Sequence, residues 1–383
     1  MVLTTMGFGG VPEVVFQLMR NLPRDRYATS LCVLKREADA DNVCDQRRDR
    51  FAELGFDVHY AAESSRKLET VASVAQWIED QELDVLHTHS NRPNVIGRMA
   101  GTLCRSSGLR IVAHYHNQYD DKWERDPAML AFERRLAHTT DAMIAVSESV
   151  RQHVAANIGV PSSRLDVIGN GVDAAAFASG DRSSARAVLG VDDGLLLVGL
   201  VGRITEQKGQ EDFVAAALRL CAVRGDVQFW MVGFAEDHAL HQRLLQVVTD
   251  AGMAARIRFL GNRDDMARIY AALDLVVAPS RWEGFGIMLI EAMAAGRAIV
   301  ASDTGAIPEI VRDGETAVLV PPRDVDALVA AMDALLRDPA RRALLGAAGR
   351  RRGREFGWGA VTEKVAAVYE RILRLPIANQ AAQ

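Results

Sequence analysis

The feature that most limits the fold of this chain is a regular alternation of short apolar runs with segments of helical periodicity. Most of the apolar runs end at Gly, Pro, Ser or Asp just before a helical segment. This alternation is typical of parallel sheets covered by helices on both faces. The predicted strands of the first half are VLTTM, YATSLCVL, FDVHYA, LDVLHTH, RIVAHYH, DAMIAVS and LDVIGN. Those of the second half are LLLVGLVGR, VQFWMVG, IRFLG, LDLVVAPS, AIVASD and TAVLV.

The pattern breaks after Asn170, where a stretch rich in Ala, Ser and Asp runs to Arg182, and we place a hinge there. A chain of 383 residues is long enough for two domains with separate cores. We therefore predict an N-terminal domain over residues 1–175 and a C-terminal domain over 190–358, both α/β and doubly wound, facing a central cleft. The helical pattern of 359–383 predicts a final helix that packs back on the first domain.

Composition excludes several classes of protein. The net charge is −5 and no basic stripe is present, so we expect no nucleic-acid partner. The four cysteines lack the close spacing of a metal knuckle or redox pair and indicate a reducing, cytoplasmic compartment. The N-terminus lacks the basic region of a signal peptide and the apolar runs are too short to span a bilayer, so we expect no membrane association.

The first loop, GFGGVPEVVFQL, resembles a dinucleotide fingerprint but departs from it in two places. Pro12 stands where the third glycine belongs, and Lys35 rather than an acid follows the second strand. A dehydrogenase is therefore not indicated. We expect Pro12 at the first helical position, where the missing N–H costs nothing. Gly9 and Gly10 then either let a ligand approach the backbone or only form a tight turn.

The second half carries the stronger signal. In VGRITEQKG, Arg203 and Lys208 share one loop after a predicted strand, and two fixed cations at the mouth of a cleft suit a diphosphate. In PSRWEGFGIMLIEAMAAG, Glu283 lies in a loop and Glu291 lies inside the following helix. Carboxylates accept hydrogen bonds from neighbouring hydroxyls, and the helix start after Gly284 favours an anion. The pattern predicts a nucleotide-sugar site, with ordinary solvated charges as the alternative.

Together with RIVAHYH, these motifs resemble the retaining glycosyltransferases of family 4, which have the GT-B fold, and the resemblance covers essentially the whole chain. It implies that Arg203 and Lys208 hold the donor diphosphate and that Glu291 holds the ribose. It also implies that His116 lies near the reacting carbon and that Gly9 and Gly10 border the acceptor and phosphate region. The group that the resemblance assigns to the transferred sugar is Glu283 with the backbone of Gly284, Phe285 and Gly286. The chain before Gly9 is shorter than is usual for the family, so we expect either a truncated first strand or a misassigned start codon.

The resemblance implies transfer of a hexose or N-acetylhexosamine from a nucleotide sugar, expected to be UDP-linked, with retention of configuration. The negative charge that develops on the leaving diphosphate needs fixed positive partners, which Arg203, Lys208 and helix N-termini supply without a metal or other cofactor. Metal-dependent transferases instead use an Asp-x-Asp triplet. The two triplets here, Asp39–Asp41 and Asp324–Asp326, are interpreted as a charged loop and a helix start.

Two histidine pairs, in HTH at 87–89 and HYH at 114–116, occupy predicted strand ends. Alternate residues of a strand point the same way, so this spacing is compatible with a metal site as well as with hydrogen-bonded core histidines. No acidic cluster of ligand spacing accompanies them, and we predict no metal. Only His116 is assigned to the active site, through the resemblance.

Acidic residues crowd the segment after His116. Asp120 and Asp121 would favour a cationic acceptor, although acids here also suit the start of the next helix. AHYHNQYDDKW is similar to enzymes that glycosylate 2-deoxystreptamine in antibiotic biosynthesis, which implies a small hydroxylated acceptor such as an aminocyclitol. The alternative acceptors are a polysaccharide and a lipid-linked molecule. The alternative functions are those of a nucleotide-sugar 2-epimerase, a retaining glycosidase and a catalytically silent sugar-nucleotide binding subunit.

Overall fold

The computed structural model describes residues 1–7, 9–35, 43–62, 67–118 and 126–374. The chain divides into two units. Unit 1 comprises Met1–Asn170 together with Trp358–Gln383, and unit 2 comprises Gly171–Gly357. Each unit is built on its own parallel sheet.

The strands are β1 Val2–Leu3, β2 Ser30–Val33, β3 Asp57–Tyr60, β4 Val85–His89, β5 Arg110–Tyr115, β6 Ala142–Ala145, β7 Leu165–Val167, β8 Leu196–Val201, β9 Val227–Val232, β10 Ile257–Phe259, β11 Leu275–Ala278, β12 Ala298–Ser302 and β13 Val318–Val320. The α-helices of the described residues in unit 1 are α1 Gly10–Asn21, α2 Val43–Glu53, α3 Lys67–Asp80, α4 Asn91–Leu103, α5 Pro127–His138, α6 Glu148–Ile158 and the last helix, α16 Trp358–Leu373. Those of unit 2 are α7 Ala174–Ala178, α8 Arg182–Leu189, α9 Gln210–Val223, α10 His238–Asp250, α11 Met266–Ala272, α12 Ile287–Ala294, α13 Ile307–Ile310, α14 Val325–Arg337 and α15 Pro339–Gly353.

The seven strands of unit 1 lie in the order β3-β2-β1-β4-β5-β6-β7, all parallel. The strand order reverses between β1 and β4, so this pair forms the topological switch point of the sheet. Apolar residues such as Val2, Val74, Leu86 and Ile111 form a buried core cluster of this unit. The last helix, α16, packs against α1, and its buried Tyr369 contacts His87 of β4.

The six strands of unit 2 lie in the order β10-β9-β8-β11-β12-β13, again all parallel. Here the order reverses between β8 and β11. Strands buried on both faces have continuous apolar sequences, and LLVGLV of β8 and LVVA of β11 are of this kind. The core packs Val198, Phe213, Phe229 and Val300 between the sheet and helices α9 and α14. Residues 171–189 also belong to this unit, where α8 packs against α11.

The predicted strand pattern is confirmed, because each of the predicted apolar runs contains a strand of one of the two sheets. One local expectation was wrong. Helix α1 begins at Gly10, so Pro12 is its third residue rather than its first. Proline is tolerated there because the first four N–H groups of a helix have no partner within the helix. Asp324 does begin a helix, since its side chain accepts from Ala327 N at 2.9 Å.

A buried ion pair joins two helices beneath the sheet of unit 1. Arg98 of α4 and Glu133 of α5 are in contact, and neither side chain is exposed to solvent. The hydroxyl of Tyr115, at the end of β5, lies 3.5 Å from Glu133 Oε2. The pair therefore fixes α4 and α5 close to the carboxyl end of β5.

Within the described part of the chain, the helices are too short or too polar for any of them to cross a lipid bilayer.

Candidate functional site

In unit 2, the two loops that carry the predicted donor residues follow the two strands of the switch point. The loop after β8 contains Arg203 and Lys208, and the loop after β11 contains Glu283. Ligands of doubly wound sheets bind outside the carboxyl ends of the strands at such a point. The fold therefore brings together residues that the sequence separates by 75 positions.

Gly209 allows these two loops to approach each other. Its φ of +67° is a left-handed conformation, and a Cβ on this residue would lie 2.0 Å from the carbonyl oxygen of Pro279. Hydrogen bonds join the loops on either side of this contact: Arg281 N donates to Gln207 O at 2.8 Å, and Gln207 Nε2 donates to Trp282 O at 3.2 Å. The two loops thus form one continuous surface of hydrogen-bonded backbone.

Lys208 and Glu283 form an ion pair at the centre of this surface. Lys208 Nζ donates to Glu283 Oε2, and the side chains are 13% and 9% exposed. Ser280 Oγ lies 3.4 Å from the same carboxylate oxygen. Both contacts use Oε2, which leaves Oε1 unengaged by Lys208 and Ser280. A carboxylate accepts hydrogen bonds on both oxygens, so Glu283 can pair with a cation and accept from a hydroxyl at once.

The backbone of Glu283 is fixed by the loop after β12. Ala306 N donates to Glu283 O at 3.0 Å, and a Cβ on Gly305 would lie 2.4 Å from the same oxygen. Gly286, which precedes α12 with φ +88°, lies against the Glu283 side chain, since a Cβ there would be 3.3 Å from its Cγ. Backbone close packing on both sides therefore determines where the carboxylate lies.

Arg203 is the more exposed of the two predicted cations. Its guanidinium contacts Glu236, and its Nη2 donates to Gln207 Oε1 at 3.4 Å. The backbone around it is crowded, because a Cβ on Gly233 would lie 2.1 Å from the carbonyl oxygen of Gly202. The ends of β8 and β9 are held together at this point, directly before Arg203.

Glu291 lies one turn inside α12 and accepts a hydrogen bond from Tyr270 Oη at 2.8 Å. Tyr270 belongs to α11 and is fully buried. Burial, with a further contribution from the Glu291 charge, raises the pKa of the Tyr270 phenol well above its usual range. The phenol therefore remains a donor and orients the Glu291 carboxylate. Glu283 precedes α12 and pairs with Lys208, whereas Glu291 lies inside α12 and accepts from Tyr270.

The remaining residues of the predicted donor segment connect Glu283 to this helix. Gly284 is buried, and Phe285 is 4% exposed with its ring edge-on to Phe356 at 6.2 Å between centroids. Gly286 is the residue before α12. Residues 284–286 thus bury the Phe285 ring inside unit 2, and their backbone connects Glu283 to the helix that contains Glu291.

In unit 1, the glycine loop also lies at a switch point, because it follows β1, whose neighbour across the reversal is β4. Gly9 has φ +142°, a value that favours glycine, and no described atom lies within 4 Å of where its Cβ would be. Gly10 is exposed and begins α1. Arg47 of α2 donates to the carbonyl oxygens of Met6 and Gly7 and so fixes the chain before these glycines.

His116 follows β5 and belongs to a group of four histidines. Its ring stacks on His114 at 4.1 Å between centroids, and its Nε2 lies 3.0 Å from Nδ1 of His89. Burial lowers the pKa of His116 to about 3, so the imidazole is neutral at physiological pH. A neutral imidazole can donate or accept one hydrogen bond at each nitrogen according to its tautomer.

Two predicted acceptor residues, Asp120 and Asp121, lie outside the described residues, as does the triplet Asp39–Asp41.

Several neighbours of the predicted donor residues were not identified from the sequence. Ser280 contacts Glu283, Gln207 contacts Arg203, and Gly305 packs against the backbone of Glu283. Ser280 and Gln207 lie inside the two charged motifs. Tyr270 gave no signal, because it lies 21 residues before Glu291 and only the packing of α11 brings them together. A search of each motif for neutral hydrogen-bonding neighbours would have identified Ser280 and Gln207.

Two family models match the chain. The model described as Glycosyltransferase Family 4 matches residues 8–176, and the model described as Glycosyl transferases group 1 matches residues 196–338. The lipopolysaccharide core biosynthesis mannosyltransferase LpsB of Rhizobium meliloti (strain 1021) is 37% identical over 245 residues, which are 62% of this chain and 68% of LpsB. The D-inositol 3-phosphate glycosyltransferase of Mycobacterium ulcerans (strain Agy99) is 34% identical over 251 residues, 64% of this chain. The chain spans about half the length of that relative, 54%.

Solved structures resemble the whole chain. Anabaena HepE in complex with UDP-glucose superposes with a TM-score of 0.85 at 22% identity, covering 97% of this chain and 98% of HepE. WaaG, a glycosyltransferase involved in lipopolysaccharide biosynthesis, superposes with a TM-score of 0.76 at 16% identity, covering 96% of this chain and 98% of WaaG. At these identities the likeness concerns the fold.

Proposed function

The chain belongs to the group 1 glycosyltransferases of family 4, and from this membership we propose that it moves a hexose or N-acetylhexosamine from a UDP sugar to a small hydroxylated acceptor, with retention of configuration. The family and the GT-B fold, with its two Rossmann-like parallel sheets, confirm the interpretation of the sequence. The observation that carries the donor assignment is the Lys208–Glu283 pair at the switch point of unit 2.

The donor diphosphate would contact Lys208 and Arg203. Both cations lie in the loop after β8, and negative charge grows on the diphosphate as the bond to the sugar breaks. An ammonium group already held by Glu283 needs little reorganisation to stabilise that charge. In this proposal the cations do the work that a metal ion does in other transferases.

The hydroxyl groups of the donor would contact the two acids. Glu283 has one carboxylate oxygen outside its contacts with Lys208 and Ser280, and we assign it to the transferred sugar with the backbone of Gly284, Phe285 and Gly286. Glu291, oriented by Tyr270, is assigned to the ribose. His116, in unit 1, is assigned to the reacting sugar, and Gly9 and Gly10 to the acceptor side.

A UDP donor is supported by HepE, whose solved complexes contain UDP and UDP-glucose. Thermal unfolding with UDP, GDP and ADP sugars tests this, because a ligand that binds only the folded state raises the melting temperature. We expect stabilisation by the UDP sugar, a smaller effect in Glu291→Gln, and none with the ADP sugar. If the UDP sugar stabilised Glu291→Gln as much as wild type, the assignment of Glu291 to the ribose would be contradicted.

The acceptor is tested by release of free UDP. The mannosyltransferase relative favours a second candidate, a lipid-linked or oligosaccharide acceptor, alongside an aminocyclitol as indicated by Asp120 and Asp121. UDP release should require one acceptor from a panel of 2-deoxystreptamine, inositol phosphate and lipopolysaccharide core oligosaccharide. Release of UDP with no acceptor present would instead indicate a nucleotide-sugar epimerase or hydrolase. The configuration of the product, read by NMR, tests retention.

The cysteines favour a reducing compartment for this reaction. Cys32, Cys104 and Cys221 are buried free thiols, which is typical of cytoplasmic proteins. We propose the cytoplasm as the place where the enzyme works.

A further inference from the structure

Three buried histidines of unit 1 have no part in the proposed transfer. His87 and His89 alternate along β4, and His114 lies on β5 directly opposite His89 in the parallel register. Side chains at alternate positions of one strand, and at paired positions of its neighbour, point to the same face of a sheet. All three imidazoles are almost completely excluded from solvent, with exposures of 1%, 0% and 2%.

The nitrogen atoms of these rings converge. Each histidine offers one ring nitrogen, and the three atoms all lie within 4.8 Å of one another. In a tetrahedral site, two nitrogens bound to one zinc ion at 2.0–2.1 Å are about 3.4 Å apart. Side-chain rotations that shorten the nitrogen separations by at most about 1.4 Å would bring the three atoms onto one ion.

Most of these nitrogens have no hydrogen-bond partner among the described residues. His87 Nε2, His89 Nε2 and both nitrogens of His114 are buried and unpaired. An unsatisfied buried polar atom destabilises the fold, and several at one place indicate that a further group binds there. A group that binds here must accept the nitrogen lone pairs of three imidazoles.

The other nitrogens of His87 and His89 do have partners. His87 Nδ1 lies 2.6 Å from Tyr369 Oη, and His89 Nδ1 lies 3.0 Å from His116 Nε2. When Nδ1–H donates to such a partner, Nε2 carries the lone pair. Histidine ligands of metal ions are held in this way, with the second nitrogen donating to a neighbouring group that fixes the tautomer.

We propose that His87, His89 and His114 bind one divalent first-row transition ion, with zinc as the favoured occupant, in the interior of unit 1. Three imidazoles are a known zinc ligand set, and imidazole suits zinc better than it suits the hard ions magnesium and calcium. Tyr369 then links the ion to α16, the helix that returns from the end of unit 2. No step of the proposed transfer uses this ion.

Burial also favours the form of histidine that binds metal. It lowers the pKa of all three imidazoles well below their usual range, so they are neutral at physiological pH. Only a neutral imidazole has a lone pair to offer.

The test measures the zinc content of the full-length chain, produced without a polyhistidine tag in zinc-supplemented medium. We expect about one zinc per chain in wild type, the same in His238→Gln, and near-complete loss in His114→Gln. His238 is the matched control because it is exposed and lies in unit 2. A wild type without stoichiometric zinc, or equal zinc in wild type and His114→Gln, would overturn the proposal.

A second variant keeps the test decisive if His114→Gln does not fold. Tyr369→Phe retains all three imidazoles and removes only the hydroxyl that contacts His87. Loss of such an outer partner typically weakens metal binding by about 10–100-fold, measured by competition with a chelator of known affinity. Unchanged zinc affinity in Tyr369→Phe would show that Tyr369 does not hold a metal-bound His87, and it would overturn the proposed arrangement. Donor binding by unit 2 is measured separately, so the two proposals can fail independently.

Discussion

Lys208 and Glu283, 75 residues apart in the chain, form an ion pair where the two switch-point strands of unit 2 end. Their loops also share backbone hydrogen bonds and the close contact between Gly209 and Pro279. The base and the acid are therefore parts of one preorganised structure. A substitution in either loop is therefore expected to change the positions of both Lys208 and Glu283.

Replacing Lys208 with alanine should remove most of the transfer activity while the protein stays folded. One fixed donor to a developing negative charge typically contributes about 10²–10³-fold in rate. Steady-state kinetics with the preferred UDP sugar would measure the loss, and circular dichroism would check folding. Lys364→Ala is the matched control, since Lys364 is an exposed lysine of α16. Turnover near that of wild type in Lys208→Ala would contradict the diphosphate role.

Replacing Gly209 with alanine should cost more stability than the same change at Gly252. Both residues have φ +67°, so both variants carry the strain of a left-handed alanine, about 1–2 kcal/mol. Only at position 209 would the new Cβ also meet a backbone oxygen, that of Pro279, whereas no atom lies within 4 Å at position 252. Denaturant unfolding of both variants isolates the contact. Equal losses would show that the two loops are not held together at this point.

The phenol of Tyr270 should stay protonated at a pH at which an unperturbed tyrosine ionises. Its pKa in the folded state is raised, so its contribution to stability is present below the unfolded value of about 10 and is lost as pH rises above it. A spectrophotometric titration of folded protein should give the same tyrosinate signal near pH 10 in wild type and in Tyr270→Phe. A smaller signal in the variant would show that Tyr270 ionises normally. The variant should also raise the KM for the donor by disordering Glu291.

Replacing Arg98 with methionine should destabilise the protein strongly, by about 3–5 kcal/mol, because it leaves the Glu133 carboxylate buried without its partner. The double variant Arg98→Met, Glu133→Leu should recover most of that loss, since both charges are then removed. Urea unfolding of the two single variants and the double variant measures the coupling. Strictly additive losses would mean that the two side chains do not interact.

The fold was predictable because parallel strands buried on both faces leave a strong pattern of short apolar runs. Runs such as LLLVGLVGR and LDLVVAPS became β8 and β11, and even their order at the switch point follows from double winding. The ends of the elements were less predictable. Predicted VLTTM is a strand only at Val2 and Leu3, because pairing with neighbouring strands decides where hydrogen bonding stops.

The charged residues of the candidate donor site stand out in the sequence, whereas the contacts between them do not. Arg203, Lys208, Glu283 and Glu291 stand in recognisable motifs, whereas Tyr270 reaches Glu291 only through the packing of α11 on unit 2. Nor does spacing alone indicate that Lys208 and Glu283 touch. Contacts between distant segments depend on close backbone packing, as at Gly209 and Gly305, which a single sequence does not reveal.

The return of α16 to unit 1 has a consequence for how the protein is made. Unit 2 is one uninterrupted stretch of chain, so it can fold before the final helix has packed on unit 1. The packing of unit 1 is completed later, because His87 can contact Tyr369 only when 282 further residues have been synthesised. The half of the molecule that emerges first is therefore the half that is completed last.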